Sequence, residues 1–100
     1  MGSKTIIAAT TGAVDSGDVR LYNLNGFNTI VASGLQTGEN IDIQLKMDTG
    51  DYEDIYVDGV QQQITEANNV VTFVASGVYK FVKPITAAAV SLRLVAARTL

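Results

Sequence analysis

Residues 40–48 (NIDIQLKMD) alternate cleanly, with Ile41, Ile43, Leu45 and Met47 on one side and Asp42, Gln44, Lys46 and Asp48 on the other. Period-two alternation of this kind predicts a strand with one face on a core and the other in solvent. Residues 18–24 (DVRLYNL) alternate too, setting Val19 and Leu21 against Arg20 and Tyr22. They run through Asn25-Gly26, the strongest two-residue turn signal, into residues 27–33 (FNTIVAS), which predicts a hairpin. A further hairpin of type I′ is predicted where residues 52–57 and 60–65 flank Asp58-Gly59. Pairing Val57 with Val60 sets Tyr56 opposite Gln61, Asp54 opposite Gln63 and Tyr52 opposite Thr65 on one shared face. The other face mixes Ile55, Val57, Val60 and Ile64 with Glu53 and Gln62, which puts this hairpin near a sheet edge.

The stretch 71–96 holds three apolar runs, 71–74, 78–82 and 90–95, rich in Val, Phe, Tyr and Leu and separated by Ala75-Ser76-Gly77 and by Pro84 with residues 86–89. These are predicted to be core strands, with Phe73, Tyr79, Phe81, Leu92 and Leu94 inward. Val74, Val78 and Val82 then form a row on the opposite side, a candidate subunit interface or a contact with a second sheet. At the other end, residues 1–17 open with a β-prone run at 4–9 and pass into small, polar residues. They are expected to form an N-terminal strand or extended arm preceding a single domain at 18–100. Helical periodicity is poor, because Val90, Leu92 and Leu94 alternate at period two even in the alanine-rich tail. Short strands every 8–12 residues, punctuated by Gly, Asn and Asp, predict an all-β fold. The expected form is an antiparallel sandwich or small barrel of about eight strands with little or no helix.

Composition changes this picture in two ways. The chain of 100 residues is 47% hydrophobic and only 17% charged, which suits one buried core and leaves few charges to cover a monomer, a hint of oligomerisation. The net charge of −3 is uneven: from Glu39 to Glu66 there are eight acids against Lys46 alone, while the remainder is net positive. Such a split suits head-to-side docking of copies as well as simple solvation. An acidic balance without a basic cluster argues against nucleic-acid binding. No apolar run is long enough for a membrane-spanning helix, and no secretory pattern opens the chain, so synthesis in the cytoplasm is expected.

The absence of His and Cys removes Ser-His-Asp and Cys-His nucleophiles and His- or Cys-ligated zinc from consideration. Asp48, Asp51, Glu53 and Asp54 offer carboxylates for glycoside hydrolysis or for Ca²⁺, but a chain without Trp and without an EF-hand spacing supports neither. No catalytic residue, metal ligand or cofactor is therefore assigned. The remaining candidates are contact residues. Tyr52, Asp54, Tyr56, Gln61 and Gln63 place rings beside amides and carboxylates, a pattern that suits a protein partner or a glycan. Lys4, Thr5, Ile6 and Ile7 are the candidate contacts of the arm.

The segment from Thr37 to Val95 resembles the small β-sandwich proteins found as accessory components of tailed-phage particles. The likeness is carried by TGENIDIQLKMD, the acidic-aromatic hairpin DYEDIYVDG, then VVTFVASGVYKFVKP and a last strand SLRLV. It implies a structural protein of the bacteriophage virion, of the capsid decoration (cement) type. Such proteins commonly form trimers and sit across joints between subunits of the major capsid protein. A carbohydrate-binding or adaptor module of a phage tail is the alternative.

Overall fold

The computed structural model describes residues 3–21, 28–73 and 77–96. Its strands are β1 (Ser3–Thr10), β2 (Val14–Asp15), β3 (Val19–Leu21), β4 (Asn28–Ser33), β5 (Asn40–Lys46) and β6 (Tyr52–Asp54). There follow β7 (Tyr56–Val57), β8 (Val60–Gln61), β9 (Gln63–Thr65), β10 (Val70–Phe73), β11 (Gly77–Lys83) and β12 (Val90–Ala96). The fold is all-β, as the alternation predicts, and every strand pair is antiparallel.

One sheet, here called A, has the order β1-β12-β4-β10. The other, B, has β11 and β5 at its centre, and each of its outer strands is interrupted. On one side β2 pairs with Val82 and Lys83 while β3 pairs with residues 77–79. On the other side β6 pairs with residues 44–46 of β5 and β9 with residues 40–42. Joining the interrupted pairs gives two four-stranded sheets, and the chain passes between them in the order A, B, A, B, B, A, B, A. This is the strand order of a double-sheet jelly roll, built from two Greek keys.

The core lies between the sheets because alternate residues of each strand face inward. Sheet A contributes Ile7, Ile30, Ala32, Val90 and Leu92, and sheet B contributes Leu21, Ile41, Ile43, Ile64, Tyr79 and Phe81, all buried. Burying each large aliphatic or aromatic side chain contributes about 1.5–3 kcal/mol. Burial also raises the Tyr79 phenol above its ordinary pKa, since the interior disfavours the phenolate. The turn after β4 depends on Gly34, whose φ is +100°. A Cβ there would lie 2.2 Å from the Ala89 carbonyl oxygen, so the two loops approach more closely than any side chain permits.

Two expectations are corrected, both of them hairpins. The described parts of the two strands around Asn25-Gly26 do not pair: β3 joins β11 in sheet B, and β4 joins β12 and β10 in sheet A. The Asn25-Gly26 turn itself falls outside the described residues. The three runs of 71–96 do form strands, divided between the sheets, β10 and β12 in sheet A and β11 in sheet B. Inward placement of Tyr79, Phe81 and Leu92 holds. Of the two forms expected at the N-terminal end, residues 3–10 take the strand: they are the edge strand of sheet A, paired along β12. The register slips by one residue between Thr5 and Ile7 and again between Ile7 and Thr10. These bulges let Ile7 enter the core while its neighbour Ile6 packs against the same core, and they blunt an edge that would otherwise pair with other chains. Finally, the hairpin at 52–65 is not continuous.

Candidate partner-binding surfaces

The Asp58-Gly59 turn forms as a type I′ turn, with φ of 53° and 79°, Val57 facing Val60 and Tyr56 facing Gln61. Beyond Tyr56 and Gln61 the expected pairing fails. Asp54 lies opposite Gln44 and Gln63 opposite Asp42, on the same flank of β5, instead of opposite each other. Tyr52 pairs with Lys46 and Thr65 with Asn40 in the same way. Residues 55–62 therefore occupy a gap opposite Ile43 alone and loop out as a finger. Its neck is closed by the Gln62 amide donating to the Ile55 carbonyl at 2.7 Å. With no neighbouring strand on either side among the described residues, the finger leaves Tyr56, Val57 and Val60 60%, 53% and 63% exposed.

The remaining members of the predicted patch lie on the outer face of sheet B. Tyr52, Asp54, Gln63 and Thr65 share that face with Asp42, Gln44 and Lys46 of β5 and with Val78, Lys80 and Val82 of β11. Their polar groups are directed at one another. Gln44 Nε2 donates to Asp54 Oδ1 at 3.1 Å, and Gln63 Nε2 donates to Asp42 Oδ1 at 2.6 Å. Lys46 pairs with Asp18 at 3.2 Å and Lys80 with Asp15 at 3.3 Å. The Lys80 ammonium also sits 4.1 Å from the centroid of the Tyr52 ring, a cation–π contact, with Lys46 at 5.9 Å. The ring's π-face is thus engaged inside the protein. Val78 and Val82 are half-buried here, with Arg20 opposite Val78 and Asp15 and Asp42 opposite Val82. The face around these two valines is charged. Val74, the third residue of the expected row, lies outside the described residues.

Lys4, Thr5 and Ile6 border a groove where the β1 edge of sheet A meets the β2–β3 edge of sheet B. The groove has a volume of about 390 Å³, and Ser16, Asp18, Val19, Arg20 and Leu94 complete its walls. Ile7, the fourth contact candidate at this end, is buried in the core and faces no partner. Arg20, Val19 and Leu94 escaped sequence reasoning because they come from distant strands; only their alternating partners hinted at where they point.

A buried lysine was also missed. Lys83 is the next inward position after Tyr79 and Phe81 on β11, and period two alone would have flagged it. It is almost wholly buried, and its Nζ donates to the Gly12 carbonyl at 2.6 Å and the Pro84 carbonyl at 3.0 Å. Nearby, the Glu39 carboxylate accepts from the Ala87 amide at 2.8 Å and the Gln36 amide at 2.9 Å. These two bonds, in that order, hold its pKa below the ordinary carboxylate value, with the Lys83 charge assisting. Together these groups tie the 10–13 turn, the 34–39 loop and the 84–89 loop across one end of the sandwich. Among the described residues no group of three or more acidic, His or Cys side chains is placed to hold a metal ion.

The fold and these surfaces define a small jelly-roll domain with an exposed finger on one edge and a groove on the opposite edge. No protein-family model, curated protein or solved structure matches the chain.

Proposed function

We propose that this protein is a non-enzymatic structural component of a tailed-phage particle, a head decoration (cement) protein that bridges subunits of the major capsid protein. The jelly-roll frame serves viral capsid domains and also lectins and cupins, so the frame alone selects none of them. The observation that carries the reading is the flat, weakly charged outer face of sheet A together with the exposed apolar finger. On the outer face of sheet B the Tyr52 ring, the Gln44 and Gln63 amides and the Lys46 and Lys80 charges are engaged by neighbouring side chains. The finger is apolar and exposed, and on the outer face of sheet A the polar groups also meet one another, Arg93 donating to Thr5 at 3.0 Å and Thr29 and Thr72 lying 3.4 Å apart. On that face Thr5, Arg93, Val31 and Val70 form one row and Ser91 and Ser33 another, with Thr29 and Thr72 alongside. Flat β-branched surface with few charges fits lateral protein contact better than sugar capture. Repetition over a symmetric shell multiplies contacts that are individually modest.

The test is co-sedimentation with phage heads purified without the protein, followed by heating of the decorated heads. Binding with a higher temperature of genome release supports the reading, and absence of binding sinks it. Since β1 belongs to sheet A, the contact is probed with Val31→Lys, on the face of that sheet, in preference to deleting the N-terminal residues. The alternative, a carbohydrate-binding or adaptor module of a phage tail, rests on Tyr56, whose ring is exposed. Glycan binding lost on Tyr56→Ala would favour it.

A further inference from the structure

The finger and the groove lie at opposite edges of sheet B, with β5 and β11 between them. At about 4.8 Å per strand step, the edges from which they arise are about 14 Å apart, so the finger cannot fold back into its own groove. Their chemistry nevertheless matches. The finger presents Tyr56, Val57 and Val60 with Asp58 at its tip, and Glu53 and Asp54 at its base; no basic residue interrupts the segment. The groove has apolar walls of Ile6, Val19 and Leu94, all half-buried, and two exposed cations, Lys4 and Arg20, at its rim. Neither cation has an ion-pair partner among the described residues, whereas the one acid of the groove, Asp18, is already paired with Lys46.

We infer that the groove receives the finger of a second copy of this chain, with the two valines against the apolar walls and Asp58 between Lys4 and Arg20. The contact is heterologous: each copy offers one finger and one groove, on opposite edges. Such contacts close into a ring if the rotation per copy permits and otherwise continue as a filament. A trimer, the order suggested for the particle, is one such ring. The inference deepens the oligomeric part of the proposed function and rests on that reading. Its test uses protein in solution without capsids, so shell binding and self-association succeed or fail separately.

Two variants separate the halves of the contact. Val60→Lys spoils the finger and Arg20→Glu spoils the groove; both positions are exposed, and the melting temperature of each variant checks that folding is intact. In sedimentation velocity the unaltered chain is expected to self-associate below about 1 mM, and each variant alone at least about tenfold more weakly. An equimolar mixture should recover a one-to-one dimer, because the intact finger of the Arg20→Glu copy meets the intact groove of the Val60→Lys copy. A second measurement uses the absence of native cysteine. When Val60→Cys and Thr5→Cys copies are mixed and oxidised, the mixed disulfide should exceed either like-with-like dimer. A chain that stays monomeric at about 1 mM, variants that associate as tightly as the parent, or a mixture without recovery would each overturn the inference.

Discussion

The sandwich body and the finger are both built from alternating β-prone sequence, yet they behave as opposites. In β11, Tyr79, Phe81 and Lys83 disappear into the interior because strands flank it on both sides and a second sheet covers it. In the finger, Val57 and Val60 are comparably apolar but face water, because among the described residues β7 and β8 pair only with each other. An apolar residue in a strand is a core residue only when another layer lies over it. A two-stranded ribbon has no such layer and is marginally stable by itself. The finger persists because its neck bond and the flanking β6 and β9 anchor it to β5.

The contrast can be broken by mutation. Phe81→Ala, at the centre of the body, should lower unfolding free energy in urea by about 3–5 kcal/mol, and a loss under about 1 kcal/mol would mean that the interior is not packed as described. Next comes Gly34→Ala, which combines a positive φ with a clash against Ala89; about 3 kcal/mol is expected in the same measurement. Lys83→Met keeps the inward stem but leaves the Gly12 and Pro84 carbonyls without their donor, so a loss of about 1–3 kcal/mol should follow.

A smaller effect is expected from Glu39, whose folded pKa lies below its ordinary 4.5. The unfolded chain then binds the proton more readily, so this group stabilises the fold above about pH 4.5 and the contribution is lost as pH falls through the lowered folded value. Melting temperatures of the parent and Glu39→Gln should therefore converge as the pH is taken from 6 to 3; a constant gap would remove the carboxylate from this role. Smallest of all, the double substitution Val57→Ser and Val60→Ser should change unfolding free energy by no more than about 0.5 kcal/mol. If it unfolds the domain, the finger belongs to the body and the contrast is lost.

Much of the fold was legible in the residues. The alternation of residues 40–48 marked β5 and its inward Ile41 and Ile43, and the Val/Phe/Tyr runs marked β11 and β12. Asp58-Gly59 announced its own turn because both positions need positive φ, a requirement met within two residues. The contact surfaces were less legible. Tyr52, Asp54 and Gln63 do share a face, but with β5 and not with Tyr56 and Gln61. Lys4, Thr5 and Ile6 do line a groove, but as part of an edge strand and with walls supplied from positions 19, 20 and 94.

The sequence by itself determined the strand character of these segments, the inward side of Ile41 and Ile43 in β5, of Tyr79 and Phe81 in β11 and of Leu92 in β12, and the absence of imidazole and thiol chemistry, because period, turn residues and composition are local properties. Which sheet each strand joins was decided only in three dimensions. Asn25-Gly26 carries a strong hairpin signal, yet Leu21 and Ile30 reach the core from opposite sheets. Pairing between strands far apart in the chain is set by burying both apolar faces at once, a balance that no short window contains. The finger has the same origin. Seven residues of β5 accommodate β6 and β9 end to end, and the eight residues between them have nowhere to pair except with themselves.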